Sequence, residues 1–337
     1  MYSKNEDEII SSWNTEKYQN PLVTIRCMTY NHEKYIASAI EGFLSQKTTF
    51  PFVIYIHDDC SQDATAQIIR QYQDKFPHII QATYESENQW SKKDGSLTRI
   101  VNSKIHTKYE AICEGDDYWI DEYKLEKQIN YLEAHKGCSI SITNGRVLNL
   151  KNGNFESIFR GKKEEEFGKE NQIITLANCS ALEFPPTASY VLRRECLEGI
   201  DEIPRCFTGD QRRRLFLMTK GYCYYFADET VVYRKSVPGS AMTRTKHQKR
   251  CELYQLSTGI CEMLDAIDQI SDYKFSDELW KIKVVHLKGI ISNSRSLKVL
   301  KNQNCKKVFS SYSLIHKVKI IIKMMTPDFV YEILRKK

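Results

Sequence analysis

Short apolar runs alternate with helical patterns between Pro21 and about residue 135. The runs LVTIRCM, FVIYIH and YEAIC predict buried strands. The segments EKYIASAIEGFLSQ, ATAQIIRQYQDKF, Ser96 to Ile105 and KLEKQINYLEAH place apolar residues on one face and predict helices. Such alternation is typical of a parallel sheet with helices on both faces. The sequence therefore predicts a doubly wound α/β layer, which binds ligands at the carboxyl ends of its strands.

The pattern changes after this layer. SISITNGRVLNL predicts a hairpin that turns at Asn144-Gly145, because Asn-Gly favours a tight two-residue turn. From about Lys246 the pattern is helical, with segments near 250–270, 277–296 and 305–335. We therefore expect two domains, residues 1–240 with the sheet and residues 241–337 as a helical extension.

Composition indicates an ordinary globular protein. The chain has 337 residues, 41% of them hydrophobic, which is enough for one large core or two modest ones. Its 11 cysteines include no Cys-x-x-Cys pair, so we expect reduced core residues rather than disulfides or a zinc site. The first residues, MYSKNEDEII, are acidic, and no stretch has the length needed to span a bilayer. A cytoplasmic location is expected.

The net charge of +6 is concentrated at one end. Residues 301–337 contain nine Lys or Arg against Asp328 and Glu332, a local charge of +7. The remaining residues lack the spread of basic and aromatic side chains that binds nucleic acid, so no nucleic-acid partner is expected. HKVKIIIKMMTPDFVYEILRKK has the composition of an amphipathic helix lying on an anionic membrane surface. It fits equally well a helix packed on the protein with its lysines in water.

Polar side chains follow three of the predicted strands and fall on one edge of the predicted sheet. They are Thr29, Tyr30 and Asn31 after the first strand, Asp58 and Asp59 after the second, and Glu114, Asp116 and Asp117 within CEGDDYW. Three crowded carboxylates repel one another unless a cation lies between them. Mg²⁺ and Mn²⁺ prefer such oxygen ligands, often with substrate phosphates. The alternative is a solvent-facing helix cap, although a cap needs one carboxylate rather than three.

Three stretches carry a resemblance to a known family. VTIRCMTYNHEKYIASAIEGFLSQ, IHDDCSQDAT and EGDDYWIDEYKLEKQINYL resemble the successive signatures of family 2 glycosyltransferases with the GT-A fold. The last is similar to the EGDDYW-x-D-x-x-KL-x-KQ form common in bacterial enzymes of capsule and surface-polysaccharide synthesis. The resemblance covers about residues 21–240. It implies an α/β fold with a GT-A Rossmann-like mixed sheet flanked by helices, and a C-terminal helical extension.

The resemblance also implies an inverting, metal-dependent transfer of a sugar from a nucleotide diphosphate donor to a saccharide or lipid-linked acceptor. In the family's pattern, nucleotide-binding positions correspond to Thr29, Tyr30, Asn31, Asp58, Asp59 and Arg99. Tyr30 would offer its ring to the base, and Arg99 would reach the diphosphate. Glu114, Asp116 and Asp117 correspond to the metal-binding Asp-x-Asp, with Asp116 as the principal ligand of Mn²⁺ or Mg²⁺.

The acceptor side is implied by FTGDQRRRLFLMTKGYCYYFADETVVYR, which resembles the family's motif for the catalytic base. Asp210 matches the base position, and its alternative role is a helix cap. Trp119 is a candidate to stack on the acceptor sugar, with core packing as an equal alternative. His247 is a weak candidate for completing the metal shell.

Two other functions fit parts of the sequence. A non-catalytic carbohydrate- or nucleotide-binding scaffold of a polysaccharide assembly complex would use the same pocket. A glycoside hydrolase would use two carboxylates, but it needs them on either side of the sugar rather than at one corner.

Overall fold

The computed structural model describes residues 5–158, 169–179, 186–205, 209–238 and 248–328. His247 lies outside these residues, as do residues 329–337 of the basic tail. The chain forms two compact units that interleave along the sequence. One comprises residues 1–175, 181–197 and 220–237, and the other comprises 176–180, 198–219 and 238–337. We call them the sheet unit and the helical unit. The division into domains at residue 240 stays a prediction.

The strands described here all belong to one mixed sheet in the sheet unit. They are β1 (Val23–Thr29), β2 (Phe52–Asp58), β3 (Ile80–Tyr84), β4 (Tyr109–Ile112), β5 (Tyr118–Trp119), β6 (Cys138–Asn149), β7 (Asn154–Ser157), β8 (Gln172–Ile174), β9 (Val191–Arg193) and β10 (Tyr222–Lys235). The sheet order is β3-β2-β1-β4-β9-β6-β10-β5, with β7 beside β6 and β8 beside β10. This curled mixed sheet flanked by helices confirms the predicted fold class.

The parallel part of the sheet holds the predicted strands. β1 lies parallel to both β2 and β4, and β2 lies parallel to β3. β9 then pairs antiparallel with β4 and β6, whereas β6 and β10 are parallel to each other. The alternating pattern predicted β1, β2 and β4 but missed β3, a short strand with only one buried residue.

Helices cover this sheet as the periodicity predicted. The sheet unit contains α1 (Glu6–Ile10), α2 (Ile36–Leu44), α3 (Thr65–Lys75), α4 (Ser96–Asn102) and α5 (Lys124–Ala134). α2 inserts Ile40, Phe43 and Leu44 into the main core beside β1 and β2. β1 is buried on both faces, which explains its nearly continuous apolar composition. Packing of these elements fixes the carboxyl ends of β1, β2 and β4 at one edge.

The predicted hairpin at Asn144-Gly145 is wrong. β6 continues through both residues for 12 positions and pairs with β10 along its length. Gly145 allows β6 and β10 to approach each other closely, because a Cβ at this position would lie 2.5 Å from the carbonyl oxygen of Val231. The chain instead turns after Asn149 and reaches β7 through Gly153, whose φ of +73° lies in the left-handed region.

The helical unit contains α6 (Gly209–Lys220, whose last residue belongs to the sheet unit), α7 (Arg250–Ile270), α8 (Ser276–Asn293), α9 (Gln303–Ser310) and α10 (Leu314–Met325). α7 and α8 agree with their predicted positions. The single predicted segment 305–335 is wrong, because α9 ends at Ser310 and Ser313 caps a new helix by accepting a hydrogen bond from the backbone N–H of His316. Free thiols, most of them buried, account for the cysteines that the structure describes.

Candidate functional site

The ends of β1, β2 and β4 bring the predicted polar residues to one edge. Thr29 lies directly opposite Asp58 in the β1–β2 pairing. Beyond β4 the chain stays beside β1, because the backbone N–H of Gly115 donates to the carbonyl of Met28 at 2.9 Å. A side chain at position 115 would not fit, since its Cβ would lie 2.8 Å from Thr29 Oγ1. The acidic corner, defined as Glu114, Asp116 and Asp117, is therefore held against the end of β1.

Asp117 is the most buried member of the acidic corner. Its Oδ1 accepts a hydrogen bond from the backbone N–H of Arg234 at 2.8 Å, and the Arg234 guanidinium donates to the Asp116 carbonyl at the same distance. Burial, followed by the charge of Asp116, raises the pKa of Asp117 well above its usual range. Asp117 therefore ties the acidic corner to β10.

Glu114 is also held by a distant segment. Thr187 Oγ1 donates to Glu114 Oε2 at 2.7 Å. Burial raises the pKa of Glu114, while the Thr187 hydrogen bond opposes that shift. One Glu114 oxygen is thus used by the neighbouring turn at residues 187–189.

Asp116 faces His32, a histidine that was not predicted as a site residue. His32 Nε2 lies 3.9 Å from Asp116 Oδ2, which is too long for a hydrogen bond. The backbone N–H of His32 donates to Thr65 Oγ1 at 2.8 Å, which fixes the loop after β1. Burial is the main cause that lowers the pKa of His32, so its imidazole is neutral near pH 7. Its buried Nδ1 has no hydrogen-bond partner among the described residues.

The two aspartates after β2 have different surroundings. Asp58 is buried, accepts a hydrogen bond from Ser61 Oγ, and has a pKa that burial raises. The Asp59 carboxylate accepts hydrogen bonds from the backbone N–H groups of Gln89 at 2.7 Å and Trp90 at 3.0 Å. Asp59 therefore anchors the segment after β3.

The remaining predicted nucleotide-binding residues do not all converge. Tyr30 is 43% exposed beside the end of β1. Asn31 adopts a φ of +55°; its backbone N–H donates to Ser61 Oγ, and its Oδ1 accepts from the backbone N–H of Gln62. Arg99 has a 61% exposed side chain whose described hydrogen bond and ion pair both go to Asp94. Asn31 thus shapes the loop, and Arg99 is not brought to the acidic corner by these contacts.

Trp119 is part of the core. Its side chain is 3% exposed, its Nε1 donates to the Ala188 carbonyl at 2.8 Å, and its ring packs edge-on against Phe43. The Nζ atom of Lys124 lies 4.3 Å from its ring centroid. This placement corresponds to the core-packing alternative, because the ring is covered and a sugar would need an accessible face.

Asp210 belongs to the helical unit. It lies exposed in the first turn of α6, where a carboxylate interacts favourably with the helix dipole. Its assignment as a catalytic base stays a prediction.

Three residues that shape the site were not predicted from the sequence: His32, Thr187 and Arg234. His32 had a usable signal, because it follows Tyr30 by two positions on the same edge. Thr187 and Arg234 gave none, since they reach the acidic corner from 73 and 117 residues away along the chain.

The donor set of the acidic corner fits a metal held by few protein ligands. Within the described ranges, no three His, Cys, Asp or Glu side chains are grouped so that they could hold a metal ion. Asp117 and Glu114 each use an oxygen in a protein hydrogen bond, whereas Asp116 faces the neutral imidazole of His32. Mg²⁺ and Mn²⁺ commonly take one or two protein ligands and complete their shell with phosphates and water.

Comparison with known proteins identifies the class. The fold is similar to TarS of S. aureus in complex with UDP-GlcNAc, with a TM-score of 0.60 and 16% identity over 90% of this chain and 88% of that chain. It is also similar to the mannosyltransferase PcManGT from Pyrobaculum calidifontis in complex with GDP-Man and Mn²⁺, with a TM-score of 0.50 and 14% identity over 90% and 86% of the two chains. The fold is therefore that of the GT-A glycosyltransferases.

Part of the sequence matches a family model. Residues 25–185 match the model of glycosyl transferase family 2. The uncharacterized protein Rv1520 of Mycobacterium tuberculosis is 34% identical over 184 residues, which is 54% of this chain and 49% of that protein. The putative teichuronic acid biosynthesis glycosyltransferase TuaG of Bacillus subtilis is 31% identical over 36% of this chain and 46% of its own length. The chain thus matches about half the length of these relatives.

Proposed function

We propose that the protein transfers a sugar, with inversion, from a nucleotide diphosphate donor to a saccharide or lipid-linked acceptor. The observation that carries this proposal is the shared edge of β1, β2 and β4, where Thr29 lies opposite Asp58 and Gly115 holds the acidic corner beside β1. Two solved structures of similar fold are complexes with UDP-GlcNAc and with GDP-Man and Mn²⁺. Asp58 would bind the base or ribose, Asp59 would keep its loop in place, and Tyr30 would contact the base.

Asp116 would be the principal metal ligand, and His32 the second. An aspartate oxygen and a neutral imidazole nitrogen suit Mn²⁺ better than Mg²⁺, which prefers oxygen ligands. The ion, when bound, would offset the negative charge that develops on the departing nucleoside diphosphate. Asp117 and Glu114 would contribute negative potential and hold the corner in shape through Arg234 and Thr187.

Inversion requires a base that removes the proton from the attacking hydroxyl. We assign this role to exposed Asp210, on the family motif that contains it.

The acceptor would belong to surface-polysaccharide synthesis, a proposal supported by the similarity to TuaG. A cytoplasmic location is proposed with it. Within the described parts of the chain, none of the helices is both long enough and apolar enough to cross a membrane.

The proposal is tested by incubating the purified full chain with UDP-, GDP-, CDP- and dTDP-sugars and Mn²⁺, and measuring nucleoside diphosphate release with candidate acceptors. Release from one donor class that stops on removal of the metal is expected. Hydrolysis of glycosides without any nucleotide sugar would instead identify a glycoside hydrolase. Donor binding without turnover on an acceptor array, together with unchanged cellular function of Asp210→Asn, would identify a non-catalytic scaffold.

A further inference from the structure

Helix α10 exposes a continuous apolar stripe. The stripe consists of side chains with 48–79% of their surface exposed: Leu314, Ile315, Val318, Ile322 and Met325. At 3.6 residues per turn, these positions fall within an arc of about 100° on the helix. The other apolar face of α10 is used differently, because Ile320 and Met324 pack into the core of the helical unit. α10 therefore has one apolar face buried in this unit and another directed outward.

Lysines border the apolar stripe on both sides. Lys317 precedes it around the helix by about 60°, and Lys319 follows it by about 40°. Lys319 is exposed, and Lys317 Nζ donates to the Ser310 carbonyl at 3.0 Å. An apolar face between basic side chains is the pattern of a helix lying in a membrane interface.

A basic cavity adjoins the stripe through Lys319. It has a volume of about 840 Å³ and is lined by residues of α7, α8 and α10 and by the turn before α10. Its lining includes Lys288, Lys319 and Lys323 together with His316, and it also contains the hydroxyl groups of Ser292, Ser311, Tyr312 and Ser313. No Asp or Glu lies among its described lining residues. Positive charge and hydroxyl donors together suit a phosphate group.

We propose that this surface, the apolar stripe with Lys317, Lys319 and the basic cavity, docks on an anionic membrane leaflet and receives a lipid phosphate headgroup in the cavity. Charge complementarity selects this occupant. A second copy of the chain, paired face to face through the stripe, would bring two sets of lysines together and raise the repulsion between them. An anionic leaflet attracts the same lysines while the stripe enters its apolar boundary.

Docking would place the helical unit at the surface where lipid-linked acceptors lie. The inference does not depend on the proposed glycosyl transfer, because vesicle binding is measured without any nucleotide sugar. A protein that binds vesicles but releases no nucleoside diphosphate would contradict only the function proposed above, and the reverse result would contradict only the docking surface.

The test is co-sedimentation of the full chain with phosphatidylcholine vesicles that contain or lack phosphatidylglycerol. We expect binding only to the anionic vesicles, weakened at least tenfold by Ile322→Asp in the stripe and by Lys319→Glu at its border with the cavity. Tyr273→Asp and Lys274→Glu are matched controls. Both residues are exposed in the turn after the last residue of α7, whereas the cavity is lined by Leu253, near the start of that helix. Both controls should bind as the parent protein does.

Several results would overturn the assignment. One is equal binding by all variants, or binding by none, including the parent. Another is a dimer in solution that Ile322→Asp dissociates, which would make the stripe a contact between copies. A third is vesicle binding that appears only after truncation at residue 328, which would show that the chain's own last residues cover the stripe. The fourth is thermal stabilisation by inorganic phosphate, lost in Lys319→Glu, without vesicle binding, which would make the cavity a site for a soluble anion.

Discussion

Asp117 Oδ1 accepts the backbone N–H of Arg234 at 2.8 Å, across 117 residues of chain. Because Asp117 is 2% exposed, Asp117→Ala would leave a buried N–H without its partner and should lower the free energy of unfolding by about 1–3 kcal/mol. Asp117→Asn keeps an acceptor oxygen, so it should lower the free energy of unfolding by a clearly smaller amount than Asp117→Ala does. Urea denaturation of the three proteins measures both values. Equal losses in the two variants would show that the charge, rather than this hydrogen bond, makes Asp117 important.

Asp116 should behave differently from its neighbour. We expect Asp116→Asn to fold normally but to lose at least tenfold of its Mn²⁺-assisted affinity for a nucleoside diphosphate, because a principal metal ligand is removed. Isothermal titration calorimetry with and without Mn²⁺ measures the change. Glu122→Gln is the control, since Glu122 pairs with the side chain of Lys47 and is expected to contribute little. Unchanged metal dependence in Asp116→Asn would move the metal site elsewhere.

His32 provides a separate test of the metal shell. His32→Ala removes the imidazole that faces Asp116 at 3.9 Å. If this nitrogen coordinates the ion, the substitution should weaken Mn²⁺ binding more than Mg²⁺ binding, because Mg²⁺ has less affinity for nitrogen. Electron spin-echo measurements on bound Mn²⁺ should also lose their ¹⁴N coupling in the variant. A ¹⁴N signal that is absent from the parent protein, or that persists in His32→Ala, would contradict the assignment.

The sequence identified the elements whose pattern depends on local burial. β1, β2, α2, α3 and α5 have the period that their buried face imposes, so each could be predicted. The hairpin predicted at Asn144-Gly145 was wrong. An Asn-Gly pair is typical of a tight turn, but in this protein the glycine lies where β6 and β10 approach each other closely. Antiparallel β9, which is three residues long, has too few positions to show a period.

For the candidate site, the sequence predicted where residues lie along the sheet but not how their side chains are oriented. The pattern predicted that Thr29, Asp58 and the acidic corner lie at one edge, because parallel strands end there. The direction and burial of individual side chains depended on distant segments. Trp119 faces the core because Ala188 accepts its indole N–H, and nothing near Trp119 in the sequence encodes that contact.

Asp210 is tested by separating turnover from binding. If it is the base, Asp210→Asn should lower turnover at least hundredfold and leave the donor dissociation constant within about twofold of the parent value. Asp201→Asn is the control, because Asp201 is an exposed carboxylate of the same compact unit. Initial rates and calorimetric donor titrations supply the two numbers. Normal turnover in Asp210→Asn would assign its carboxylate to capping α6.

Lys124 should give the protein a pH-dependent stability. The side chain is fully buried, its Nζ donates to Gln128 Oε1 at 2.7 Å, and burial lowers its pKa to about 7. An unfolded lysine has a pKa of about 10.4. Between these values the unfolded chain binds more protons than the folded one, so the Lys124 contribution to stability rises with pH. Below about pH 7 the lysine is charged in both states, and its contribution is constant.

Lys124→Met removes this titration while keeping an unbranched side chain of similar length. We expect the stability difference, parent minus Lys124→Met, to shift in favour of the parent by up to about 1.4 kcal/mol per pH unit between pH 7 and pH 9. The loss of the Lys124–Gln128 hydrogen bond is present at both pH values and cancels in that comparison. Lys127→Met, on the more exposed face of α5, should show no such shift. Urea unfolding of the three proteins at both pH values decides the matter, and parallel pH profiles for all three would show that Lys124 keeps its proton inside the fold.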